Sequence, residues 1–140
     1  MPEGRERRVS AENVAVVRSV YENFAKGDIP AVMAVLAPHI KWVESTQDDL
    51  PHRGTDTSPE EVAGKVFTMV METFDEFALI PEHFHDAGEV VVVEGRVVGK
   101  TKVGGVLDAR AAWVWTICDG LAAANHNYHD TDAWRLALTP

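Results

Sequence analysis

Cysteine is almost missing from this 140-residue chain, which carries only Cys118. One thiol excludes an internal disulfide framework and favours a reducing compartment, the cytoplasm. Standing beside a turn, Cys118 reads as structural rather than nucleophilic. Long apolar runs are missing too, since none approaches the roughly 20 residues needed to span a bilayer. Positive charge is scarce, with 13 Lys and Arg against 22 Asp and Glu, for a net charge of -9. That balance argues against nucleic acid and anionic membranes as partners. Neither a glycine-rich phosphate loop nor a nucleophile elbow is present. Metal-ligand patterns are thin. His83 and His85 share a strand face without a third ligand, so they read as a solvated or dimer-facing pair, and Asp48-Asp49 reads as a solvated charge pair. No metal and no cofactor are expected. MPEGRERRVS lacks the apolar segment of a signal peptide, so residues 1–10 read as a flexible arm before a single domain over 11–140.

What is present patterns as helices followed by strands. The composition, 46% hydrophobic and 25% charged, suffices for one proper core. Ser10 is placed to cap a helix from Ala11, with Val14, Val17, Tyr21 and Phe24 as its apolar stripe. Gly27 ends it. Asp28 caps a second, short helix buried through Ile29, Val32, Met33 and Leu36, and Pro38 stops it. IKWVES, residues 40–45, reads as a strand with Trp42 and Glu44 on one face. Residues 46–57 are long for an unstructured connection, so a flap carrying His52 and Arg53 is expected. Ser58-Pro59-Glu60-Glu61 is a capping box that opens a third helix running to about Phe74. Strands follow over 77–85 and 89–101, turned at Asp86-Ala87-Gly88, with Pro81 at a bulge or an edge. Gly104-Gly105 then turns the chain into a closing hairpin, and the tail adds a helical turn or two with Asp130 as its cap.

That hairpin, ARAAWVWTICDGLAAANHNYHD, turns at Asp119-Gly120. A one-residue bulge at Gly120 would set Trp113 opposite Asn125 and Ala111 opposite Asn127. Trp113, Asn125, Asn127 and His129 would then share a face. A plain two-residue turn would instead put His126, Tyr128 and Asp130 there. The bulge is preferred. Polar side chains on a half-buried strand need partners or water, and a wet concave surface supplies them; a solvent-facing edge strand would do so as well. The order α-α-β-α-β-β-β-β gives an α+β fold: a cone-shaped, curved antiparallel sheet with three helices from the N-terminal half, and a pocket at its mouth.

VVRSVYENFAKGDIPAVMAVLAPHIKWVES, SPEEV, WVWTICDG and YHDT together resemble the SnoaL-like branch of the nuclear-transport-factor-2-like superfamily, over roughly Asn13 to Leu138. The ketosteroid isomerases belong to the same group. By that resemblance Glu44, counted from Gly27-Asp28, falls where the isomerases carry their general-base aspartate. Burial against Trp42 and Trp113 is expected to raise its pKa. The bland reading pairs Glu44 with Arg53 or Lys41 at a solvated strand end. The isomerases' oxyanion donors are not matched. Their tyrosine falls at Val20, one residue from Tyr21, and their acid falls at Trp113. Steroid isomerisation by that constellation is therefore not expected.

The resulting expectation is a cofactor-independent protein acting on a small, mainly apolar carbonyl compound by acid/base chemistry of the cyclase, isomerase or dehydratase type. Glu44 and His129 are the candidate catalytic residues. Trp42, Trp113, Asn125, Asn127, Tyr21 and His52 are the candidate substrate-binding residues. A binding module of the same fold without turnover is the alternative. The partners expected are a small-molecule ligand and a second copy of the chain, since Val-rich outer sheet surface usually marks a contact and this family commonly dimerises there.

Overall fold

The computed structural model describes residues 2–44 and 49–140. Four helices, α1 (Pro2–Ala25), α2 (Ile29–Ala34), α3 (Pro59–Thr73) and α4 (Thr131–Leu138), accompany six strands. The strands are β1 (Leu36–Val43), β2 (Thr55–Asp56), β3 (Phe74–Ala87), β4 (Val90–Thr101), β5 (Val106–Cys118) and β6 (Leu121–His129). They form one open sheet in the order β2-β1-β6-β5-β4-β3. The α+β cone expected from the element order is the fold observed. The sheet is mixed rather than wholly antiparallel, because β1 lies parallel to β6 while every other pair is antiparallel.

Several boundaries differ from the sequence reading. Residues 2–10 are not an arm: they form the first turns of α1, and Ser10 lies inside the helix rather than capping it. The Glu- and Arg-rich stretch has good helix propensity, and Pro2 is tolerated in a first turn. The second helix ends at Ala34, so Leu36 and Pro38 belong to β1. Capping follows expectation elsewhere. Asp28 accepts from Ala31 N, Ser58 Oγ from Glu61 N and Asp130 from Ala133 N. Glu61 reaches back to Thr57 N, one residue before the cap, at 2.8 Å.

The hairpin solves its geometry in an unexpected way. Asp119 (φ 51°) and Gly120 (φ 76°) are both left-handed, as a two-residue turn between twisted strands requires. Cys118 therefore pairs with Leu121, and the extra residue sits beyond the turn, where the register shifts between Thr116 and Ile117 and skips Ala123. Trp113 lies opposite Asn127 and Trp115 opposite Asn125, one pair along from the expected register. Parity is preserved, so Trp113, Asn125, Asn127 and His129 do share the inner face. Pro81 sits on edge strand β3 and also at a register shift, between Pro81 and His83.

The inner face packs Val91, Val93, Val97, Trp113, Trp115 and Ile117 into one core with Val17, Val20 and Tyr21 of α1 and Val62 of α3. Trp115 Nε1 donates to Tyr21 Oη at 3.0 Å and ties α1 to β5. Gly95 is required where Trp113 crosses β4. A Cβ there would lie 2.3 Å from Ile80 O and 2.7 Å from Trp113 Cζ3. Gly64, exposed on α3, has nothing within 4 Å of such a Cβ. Opposite effects follow for one chemical change. Gly95→Ala should destabilise the protein by about 1–3 kcal/mol through overpacking. Gly64→Ala should stabilise it by roughly 0.5–1 kcal/mol. Denaturant melts read both, and a neutral Gly95→Ala would refute the packing account.

Candidate active site

The cone encloses a cavity of about 370 Å³, within the ordinary range for small-molecule sites. Val20, Tyr21 and Phe24 of α1, Ile29 and Met33 of α2, and Val62, Val66 and Met69 of α3 give it apolar walls. Trp42, Trp113 and Trp115 line the sheet side. Phe67 and Met71 line it from α3 while remaining 61% and 57% exposed, which places its mouth beside them.

Polar side chains gather among Glu44, His52, Asn127 and His129, with Trp134 beside them. β1 delivers Glu44 just past its last residue, two positions from Trp42. Trp42 Nε1 donates to Glu44 Oε1 at 2.7 Å, and Asn127 Nδ2 donates to the same oxygen at 3.0 Å. His129 Nε2 stands 3.7 Å from Glu44 Oε2, with both side chains under 10% exposed. The bland alternative of pairing with Lys41 or Arg53 is not what the structure shows; Arg53 donates to Leu50 O instead.

The expected rise in the Glu44 pKa is reversed. Burial pushes it up, but the imidazole of His129, the Trp42 indole and the nearby His52 together pull it below the ordinary carboxylate range. Glu44 is thus a charged, hydrogen-bonded anion in the low-dielectric interior. Burial and its contact with Trp115 act on Tyr21 in opposite senses, and burial wins, raising its hydroxyl pKa well above normal.

The segment carrying His52 is not an exposed flap. Leu50 is fully buried, and Asp49 pairs with Arg135 of α4 at 2.8 Å. Lys65 of α3 pairs with Asp56 at 2.8 Å and donates to Arg53 O. Asp48 lies outside the described residues, as do residues 45–47. So strapped, His52 is buried against Trp134, with ring centroids 3.9 Å apart, and against His129 at 4.6 Å.

Seven of the eight expected site residues line this one cavity. Asn125 does not. It is completely buried in β6, in register with Trp42 on one side and Trp115 on the other. Tyr21 and Val20 both face the cavity, although one helix position separates them. Trp115 and Trp134 are site residues that sequence reasoning missed. Alternation from Trp113 pointed to Trp115, and only the packing of α4 reveals Trp134. His83 and His85 are exposed, with His85 paired to Glu94 at 2.9 Å. Among the described residues no group of three His, Cys, Asp or Glu is placed to hold a metal ion.

The model of the SnoaL-like domain matches residues 17–125. This chain belongs to the SnoaL-like family. Its fold superposes on an NTF2-like protein from Burkholderia thailandensis with TM-score 0.85 and 29% identity, over 91% of this chain and 98% of that one. TerC, crystallised with polyporic acid, matches at TM-score 0.81 and 22% identity, over 91% and 98% of the two chains. A Jannaschia protein proposed to be a SnoaL-like polyketide cyclase matches at TM-score 0.75 and 18% identity, over 93% and 94%. No curated protein matches in sequence. No helix is long and apolar enough to cross a membrane among the described residues.

Burial of His52, and the His129 beside it, lower its pKa to about 4 from 6.5, with Glu44 opposing. The unfolded chain therefore binds more protons than the folded one across that interval. Stability from this group is complete above pH 6.5 and falls as pH drops toward 4, by up to about 3 kcal/mol at ~1.4 kcal/mol per unit. Thermal melts from pH 7.5 to 4.5 should show a declining Tm, with a visibly shallower decline in His52→Gln. Equal slopes in the two proteins would assign the proton uptake to other groups.

Proposed function

We propose that this protein is a cofactor-independent acid/base enzyme acting on a small, mainly apolar carbonyl compound, with His129 as the group that exchanges the proton. One observation carries the reading. At the polar region of an apolar cavity, a charged carboxylate is fixed by two donors and faces one nitrogen of an imidazole whose other nitrogen, Nδ1, has no partner among the described residues. Membership of the SnoaL-like family supports this class of chemistry, and the depressed pKa of Glu44 argues against Glu44 itself as the base.

The roles follow from the geometry. Glu44 favours the tautomer with the proton on His129 Nε2, leaving the Nδ1 lone pair for the ligand. His129 Nδ1 removes a proton from the carbon next to the carbonyl, and the electron pair moves toward the carbonyl oxygen. The imidazolium formed is stabilised by the Glu44 anion, whose position is set in advance by Trp42 and Asn127. Return of the proton to another carbon isomerises the ligand. Attack of the new carbanion on a second carbonyl closes a ring, the alkoxide formed taking the proton back from His129; where a β-hydroxyl is present it takes that proton instead and leaves as water, completing a dehydration. Apolar walls strengthen the attraction between the imidazolium and the Glu44 carboxylate.

A thermal-shift screen of aryl and cyclic ketones identifies binders, and exchange of their α-protons in D₂O, followed by NMR, reads the chemistry. His129→Gln should slow exchange by roughly 10²–10⁴-fold while Kd changes little. Glu44→Gln should slow it too, because the imidazolium then lacks its counter-charge. Binders that exchange no faster with the wild-type protein than without it would leave the binding-module reading.

A homodimer through the outer sheet face completes the proposal. Val92, Val98 and Val114 are half-buried there, and the exposed Tyr128 stacks on His126 at 4.4 Å. Half-covered apolar groups of this kind are suited to a contact. Sedimentation should give twice the 15.4 kDa chain mass, and a monomer at micromolar concentration would refute it.

A further inference from the structure

The acid/base reading leaves some of the buried polar atoms at this end of the cavity unexplained. Trp134 Nε1 and both ring nitrogens of His52 are buried without a hydrogen-bond partner among the described residues. Folded proteins rarely tolerate this unless a ligand or water completes the set. An indole N–H can only donate, so Trp134 lacks an acceptor. A neutral imidazole has one donor and one acceptor, so His52 adds a second donor beside the first. The two rings stand 3.9 Å apart, and His129 lies within 5.7 Å of both.

Two other indoles in the cavity are already committed, and Trp113 packs its ring on Tyr21 at 5.1 Å. Trp42 Nε1 is bound to Glu44 and Trp115 Nε1 to Tyr21. Proton removal by His129 would place negative charge on a carbonyl oxygen, and that oxygen is the acceptor Trp134 lacks. We propose that Trp134 and His52 form the oxygen subsite of this cavity, Trp134 Nε1–H and the imidazole N–H of His52 donating to the carbonyl or enol oxygen of the ligand whose α-proton His129 takes. The subsite rests on the acid/base reading and extends it to the substrate. The ligand carries an enolisable carbonyl or its enol at one end and an apolar body that fills the rest of the cone.

Two features suit the pair to this role. Burial keeps His52 uncharged, so it donates as a neutral imidazole and leaves the positive charge to form on His129. Both donors are also held from outside the cavity. Trp134 packs edge-on against Phe74 at 5.7 Å, and the His52 segment is tied to α4 by Asp49 and Arg135. Pre-set donors of this kind need no rearrangement as charge develops.

The test compares 2-naphthol, an enol mimic, with 2-methylnaphthalene, which has the same shape and no oxygen. Calorimetry on the full chain should show wild type preferring the naphthol. In Trp134→Phe and in His52→Gln that preference should fall at least tenfold, while 2-methylnaphthalene binds as before. A purely structural role would weaken both probes equally and leave their ratio unchanged, which would overturn the subsite. If Trp134→Phe does not fold, the wild-type Trp134 indole N–H resonance decides. It should move downfield with 2-naphthol and not with 2-methylnaphthalene, and equal responses would refute the assignment. Binding of neither naphthalene would overturn the ligand-cavity reading beneath it, a different failure from binding without preference for the hydroxyl.

Discussion

The buried carboxylate of Glu44 is the constraint around which this cone is built. An isolated charge in an apolar interior is so costly that it neutralises or is never buried. Glu44 stays ionised because Trp42, Asn127 and His129 converge on it from two neighbouring strands. Those strands, β1 and β6, run parallel, in contrast to the rest of the sheet. Their register sets Trp42 beside Asn125, and so brings the end of β1 level with Asn127 and His129. Asn127 and His129, polar residues on the inner face of β6, are explained by this need for partners. Removing one partner would cost more than the contact contributes, since the remaining charge would be stranded.

Element order, caps and inner-face parity were legible in the sequence because each is a local property. Asp28, Ser58 and Asp130 satisfy amides three residues away, and alternation puts Trp113 and His129 on one side. The errors lie where distance in the chain matters. Neither expected turn was right in detail: the two-residue turn formed, and the skipped residue at Ala123 restored the parity that this turn alone would have lost. The pKa of Glu44 went the opposite way because burial could be inferred from Trp42, whereas the arrival of His129 from 85 positions along depends on sheet register. Trp134 entered the site from a tail read only as a turn or two of helix, because nothing local says where that helix packs.

The segment that brings in His52 shows how a weakly structured stretch becomes part of a site. Its ion pairs, Asp49 with Arg135 and Lys65 with Asp56, lie at or near the surface, where single pairs add little stability. Leu50 and His52, both buried, hold it in place from within. The pairs act as guides that fix which side of the chain turns inward. His52 thereby reaches the polar cluster without itself belonging to a strand or helix, its ring packed on Trp134.

Charge balance in the cluster sets what chemistry it favours. Glu44 supplies one fixed negative charge, and His52 supplies none because burial keeps it neutral. The positive charge that balances Glu44 is the one His129 carries once it has taken a proton. A neutral ligand that gives His129 a proton creates that charge beside its counter-ion, and the matching negative charge forms on the ligand. A ligand that arrived already anionic would meet Glu44 with only His129 to offset two negative charges. The arrangement thus disfavours a charged ground state and favours one that develops charge in place, which is the requirement for lowering a barrier rather than merely tightening binding. Apolar walls on every other side strengthen the distinction, because the same charge separation is poorly screened there and gains most from groups that are already aligned.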